Sequence, residues 1–237
     1  MISVRETIEV DGSSMKIYAC RPEGDGPFPA VVVIQHQYGV DRFTEEMTER
    51  AGEAGYVAVT PDLYHRDGPD CKDDGPTRRG RVRDVNIIKD IAATVAFLKT
   101  SKFVDGHRLA VLGFCMGGRV AYLMAAASTE FRAAISWYGG SCFRPWGEGP
   151  TPFERTAQVH CPIQGHFGET DQNPTLEDMA KLDAELAKFG KAHEFFVYRG
   201  AGHGFMDAHH PERYHAQADR ESWQRGMEFL RKRLDQA

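Results

Sequence analysis

Two kinds of hydrophobic run alternate along the chain. Ala30–Gln35 (AVVVIQ) is apolar and β-branched with little interruption, the pattern of a strand covered on both faces. Tyr56–Thr60, Leu109–Gly113, Ala133–Tyr138, Ile163–Phe167 and Glu194–Tyr198 read as further strands, and Pro61 stops the first of these. Two short strands, Val4–Val10 and Met15–Cys20, open the chain around the turn Asp11-Gly12-Ser13. Between the strands the apolar period lengthens. Asp84–Leu98 carries Val85, Ile88, Ile91, Ala92 and Val95 at near-helical spacing. Helices are also predicted over Glu45–Ala54, Met116–Ala127, Thr175–Phe189 and Ala216–Leu234, with Gly55 and Gly190 as C-terminal stops. Leu63–Arg83, rich in Gly, Pro, Asp and Arg, has neither period and reads as a long loop. Strand–helix alternation predicts an α/β fold with a largely parallel sheet and helices on both faces. No repeat or linker divides residues 1–237, so one domain is expected.

Composition narrows the partners. A net charge of −5 argues against nucleic acid or an anionic membrane as a bulk partner. The opening MISVRETIEV lacks the apolar stretch of a secretory signal, and no segment approaches the roughly 20 apolar residues that span a bilayer. The five cysteines form no CxxC pair, which fits a reducing cytoplasm. No phosphate-binding glycine fingerprint is present, and His65-Arg66 and His209-His210 lack further ligands at zinc-like spacing. Neither a cofactor nor a metal is expected.

The stretch Arg108–Tyr122 (RLAVLGFCMGGRVAY) carries the chemistry. An apolar strand runs straight into Gly113-Phe114-Cys115-Met116-Gly117-Gly118, and a helical pattern starts at once. This is the strand–nucleophile–helix elbow of α/β-hydrolases with cysteine in the serine position. Such a turn exposes the sulfur beside a helix N-terminus and aims the Met116 amide at a developing oxyanion. The plainer reading is a small buried cysteine ahead of a helix, so the partners decide. Gly168-Glu169-Thr170-Asp171 follows one predicted strand and Gly200-Ala201-Gly202-His203-Gly204-Phe205 follows the next. That is the chain order nucleophile, acid, histidine. His203 is then the base and Asp171 its orienting carboxylate, with Glu169 as runner-up. Taken alone, Asp171 would read as a helix cap and His203 as a structural loop histidine.

With these pieces in place the sequence resembles the dienelactone hydrolase family. The matching stretches are VVVIQHQYGV (Val31–Val40), GYVAVTPDLYHR (Gly55–Arg66), GFCMGG (Gly113–Gly118), SWYGG (Ser136–Gly140), HFGETD (His166–Asp171) and GAGHGF (Gly200–Phe205). The resemblance implies an α/β-hydrolase fold, a monomer, and a small lactone or ester opened through an acyl-thioenzyme on Cys115. It places the Gln37 amide beside that of Met116 in the oxyanion hole and Tyr138 in the pocket lining. His36 stands where the family carries a glutamate against the resting thiol. Its role is either that contact or a bond to a nearby carbonyl. The family's arginine after the catalytic histidine is missing here: the chain reads Met206-Asp207, and an acid in the pocket would repel a carboxylate. Among Arg78, Arg79, Arg81 and Arg83, Arg81 is the expected substrate contact. Phe205, with Trp137, Tyr138 and Trp146, is a candidate wall for a planar apolar substrate. Two other functions stay open: a broad ester or thioester hydrolase, and an idle binding protein on the same scaffold.

Overall fold

The computed structural model describes residues 1–68 and 70–235. One eight-stranded sheet organises the chain, in the order β1-β2-β4-β3-β5-β6-β7-β8. β1 (Ile2–Val10) and β2 (Ser13–Arg21) form an antiparallel hairpin, and β2 joins β4 (Val57–Pro61) antiparallel. From there every pairing is parallel, through β3 (Phe28–Ile34), β5 (Val104–Phe114), β6 (Phe131–Trp137), β7 (Ile163–Gly168) and β8 (His193–Tyr198). The expected mostly parallel sheet is therefore present.

Burial explains the uninterrupted apolar strands. Along β3, Ala30, Val32 and Ile34 enter one core while Val31 and Val33 enter the other. The first core receives α3 (Asp84–Lys99), α4 (Met116–Ala127) and α5 (Leu176–Lys188) through Ile87, Ile91, Val120, Leu123, Leu182 and Leu186. The second receives α1 (Arg42–Glu53) and α6 (Ala216–Leu234) through Phe43, Met47, Met227, Phe229 and Leu230. Each such aliphatic or aromatic side chain contributes about 1.5–3 kcal/mol on leaving water. Among the described residues, no helix is long and apolar enough to cross a membrane.

The segment expected to be a loop is partly helical. A short 3₁₀ turn covers His65–Asp67, and α2 (Gly75–Arg81) follows. Pro69, within the same segment, lies outside the described residues, as do residues 236–237. The Asp74 carboxylate caps α2 by accepting the Thr77 amide at 2.9 Å. The helix buries none of its residues, so it leaves no apolar period to read. Two edges moved by three residues or more. β5 starts five residues before the expected strand, and α1 starts three residues before its expected helix, at the cap Asp41.

Candidate active site

The parallel strands end in loops on one side of the sheet, as open α/β sheets dictate. β5 delivers Cys115, the N-cap residue of α4, with φ of 55°. Such a φ costs a side-chain-bearing residue energy and persists only where the surroundings enforce it. Two glycines do so here. A Cβ on Gly113 would lie 2.2 Å from the Gly117 carbonyl oxygen, and one on Gly117 would lie 2.3 Å from that of Ile34. The helix therefore approaches the sheet more closely than any larger residue permits. The Cys115 amide donates to the Trp137 carbonyl at 3.0 Å, tying the turn to β6. Met116, as the first residue of α4, has an N–H without an intrahelical acceptor.

β7 and β8 supply the partners. His203 Nδ1 donates to Asp171 Oδ2 at 2.9 Å, and the other oxygen, Oδ1, accepts the Asn173 amide at 2.8 Å. Glu169 is engaged elsewhere, accepting the Gly200 amide at 2.8 Å, and Thr170 donates from both its amide and hydroxyl to the Ala201 carbonyl. Those bonds hold the Asp171 and His203 loops together. Burial alone would lower the affinity of His203 for a proton. The Asp171 carboxylate, bonded to the ring, and the Cys115 sulfur beside it in the same cleft outweigh it and push the imidazole pKa up to about 10. Desolvation pushes the buried thiols of Cys142 and Cys161 up to about 12. All five cysteines are free.

Cys115 and His203 open onto a cleft of about 390 Å³. Gln37, Met116, Arg79, Asn173, and Gly140, Ser141, Arg144, Pro145 and Trp146 of one loop line the rest. Gln37 and Met116 thus reach the cleft together. The Tyr64 hydroxyl donates to the Gln37 carbonyl at 2.7 Å and fixes that loop from below.

Six substrate-side expectations come out differently. Arg81 does not enter the cleft. Its guanidinium is held by Asp67 at 2.8 Å and Asp73 at 2.7 Å, because α2 turns it outward. Arg79 lines the cleft in its place, with its Nε buried and unpartnered. His36 bonds the Asp41 carboxylate at 2.8 Å and packs between Tyr38 and Phe43, so it serves the start of α1 and does not line the cleft. Phe205 is fully buried against Tyr138 and Tyr198. Tyr138 lies beneath the imidazole of His203, edge to face at 5.3 Å, and is 1% exposed. Trp137 is buried as well, which leaves Trp146 as the aromatic wall. Asp207 is buried beside Arg213 and His210 and does not line the cleft.

Arg79, Arg144 and Asn173 were missed as pocket residues. The first was one of four arginines with nothing to separate them, and the other two sit in loops without a period. Among the described residues, no group of three or more His, Cys, Asp or Glu is placed to hold a metal. His65 is occupied by Ser13 and Asp90, and His209 by Glu46.

Comparison with known proteins agrees with this architecture. The family model described as the dienelactone hydrolase family matches residues 15–234. The chain belongs to that family. A protein of Escherichia coli (strain K12) named as a candidate carboxymethylenebutenolidase is 32% identical over 232 residues, covering 95% of this chain and 85% of its own. A Bradyrhizobium protein named as a candidate 2-oxo-3-(5-oxofuran-2-ylidene)propanoate lactonase is 29% identical over 94% of this chain and 92% of its own. The crystal structure of a candidate dienelactone hydrolase from Klebsiella pneumoniae subsp. pneumoniae MGH 78578 superposes with a TM-score of 0.87. The two chains are 28% identical, and the match covers 100% of this chain and 99% of the other. Membership makes the protein an α/β-hydrolase of the dienelactone hydrolase type.

Proposed function

We propose that the protein hydrolyses a small lactone or carboxylic ester through an acyl-enzyme on Cys115. The observation that carries this reading is the imidazole of His203, held by the Asp171 carboxylate on one side and in reach of the Cys115 sulfur on the other. Sγ attacks the carbonyl carbon with its proton already held by His203, whose raised pKa keeps the imidazole protonated at neutral pH. The oxyanion is met by the amides of Met116 and Gln37. Collapse breaks the C–O bond, and the imidazolium returns the proton to the leaving alkoxide. Water then gives a proton to His203, attacks the thioester and releases the acid, with the thiol restored. Asp171 stays ionised throughout, fixing the ring and stabilising its cationic form. The reading calls on nothing beyond this chain, one small substrate and water, and its free thiols suit a reducing cytoplasm.

The test is rapid mixing with excess p-nitrophenyl acetate. A burst near one equivalent of nitrophenolate, lost in Cys115→Ala, is expected. Equal slow release from both proteins sinks the assignment and favours the idle scaffold. A specific observation also bears on substrate charge. Arg144 makes no side-chain hydrogen bond or ion pair among the described residues, and Arg79 leaves its Nε unpaired at the cleft. A carboxylated lactone is therefore expected to show a higher kcat/KM than an uncharged ester of equal size. The reverse ranking favours a broad esterase or thioesterase.

A further inference from the structure

The cleft wall formed by Gly140–Trp146 has no regular structure of its own, lying between β6 and the short 3₁₀ helix Phe153–Gln158. A loop of that kind keeps one shape only if its backbone groups find fixed partners. Four of them converge on one buried ion pair. Arg119 is 0% exposed and grips Asp84 with both guanidinium arms, at 2.6 and 2.9 Å. The remaining donors turn to the loop: Nε to the Ser141 carbonyl at 3.2 Å, and one arm to that of Arg144 at 2.8 Å. Asp84 completes the clamp. Its carboxylate accepts the Trp146 amide at 3.2 Å, and its own amide donates to the Trp146 carbonyl at 2.8 Å. The guanidinium carbon also lies over the Trp146 ring, 3.8 Å from its centre.

A buried ion pair is weak evidence for stability, since well-packed apolar residues hold helices together as well. An apolar pair, however, has no donors for carbonyls. The fork's geometry, five N–H groups in one rigid plane, suits it to fixing several acceptors at once. Every backbone bond that Arg119 and Asp84 make outside their own helices goes to the residues that line the cleft. Arg119 also lies on α4, about one turn past Cys115, so the clamp references the wall to the helix that carries the thiol.

We propose that Asp84 and Arg119 are positioning residues that set the substrate wall of the Cys115 cleft, and with it affinity for the group beside the scissile carbonyl. They do not touch the reacting atoms. The proposal rests on the reading of that cleft as the substrate site.

The experiment compares the unaltered protein with Arg119→Lys, which keeps the charge but loses the fork. Steady-state constants are measured for p-nitrophenyl acetate and for the bulkier p-nitrophenyl phenylacetate, together with the rate of Cys115 alkylation by iodoacetamide. For the phenylacetate, KM is expected to rise about tenfold, while kcat and alkylation stay within about twofold. For the acetate, which barely reaches the wall, the expected change in KM is also about twofold or less. Unchanged KM for both esters overturns the proposal. So does a parallel fall in kcat and alkylation at constant KM, the mark of a disturbed elbow. Trp146→Ala, at the cleft side of the clamp, is expected to reproduce the KM rise, and the double variant to be no worse than either single. If Arg119→Lys does not fold, Trp146→Ala alone decides, and an unchanged KM for the phenylacetate overturns the proposal. Failure of the nucleophile assignment shows separately, as a missing burst in the unaltered protein.

Discussion

Three side chains far apart in sequence meet at the cleft, and their chemistry turns on where one proton resides. In the folded protein His203 holds its proton up to about pH 10, against an ordinary value of 6.5. An NMR titration is expected to find the imidazole protonated through neutrality. In Cys115→Ala the midpoint is expected to move down, since the sulfur is one of the groups that raise it. The linkage sign follows from the raised value. The native state binds more protons than the unfolded chain between these limits, so this contribution to stability is whole below about pH 6.5 and fades as pH climbs through 10. Asp171→Asn is expected to lower kcat by roughly 10³-fold or more, because the ring loses its orienting acceptor. Stopped-flow acylation checks it. Cys115, Asp171 and His203 were legible as candidates because each follows an apolar strand and stands among glycines. Arg81 was misplaced for a physical reason: in a run of arginines, helix phase decides which one faces the cleft, and α2 has no apolar stripe to reveal it.

Among elements, the strands of the parallel sheet were the easiest to read, since burial on both faces leaves unbroken apolar runs. The polar helix α2 and the short turn before it were invisible for the opposite reason. At the elbow, helix and strand constrain each other. Gly117→Ala places a carbon against the Ile34 carbonyl, so α4 must shift. A loss of about 1–3 kcal/mol is expected from overpacking, measured by urea denaturation, with slower acylation because the thiol moves too. The turn after β4 acts more gently. Tyr64→Phe removes the donor to the Gln37 carbonyl without changing the cleft lining. It is expected to reduce kcat by about tenfold with KM unchanged, an effect smaller than the 10²–10³ of losing an oxyanion donor outright.

At the scale of the whole molecule, the β6–β8 end of the sheet carries an aromatic stack in which one member can titrate. His166 lies between Trp137 and Phe196, bonded to the Tyr198 hydroxyl and the Gln164 side chain. Burial pushes its pKa down to about 3 from 6.5. The unfolded chain therefore binds a proton that the folded one refuses, and stability falls as pH drops from about 6.5 toward 3. Urea midpoints at pH 7 and pH 4.5 are expected to differ less in His166→Gln than in the unaltered protein. Such a residue could not be recognised from sequence. It looks like any loop or strand histidine until the rings on either side are known.

From β5 onward the strands are laid down beside one another in the order they occur in the chain. On a ribosome, each new strand would leave the exit tunnel to meet an edge already formed. On the proposed mechanism, the thiol of Cys115 would then wait through β6 and β7, unable to turn over anything, until the loop after β8 emerged with its imidazole. Hydrolytic activity would be among the last properties a nascent chain acquires, a timer that reports the arrival of the C-terminal strand.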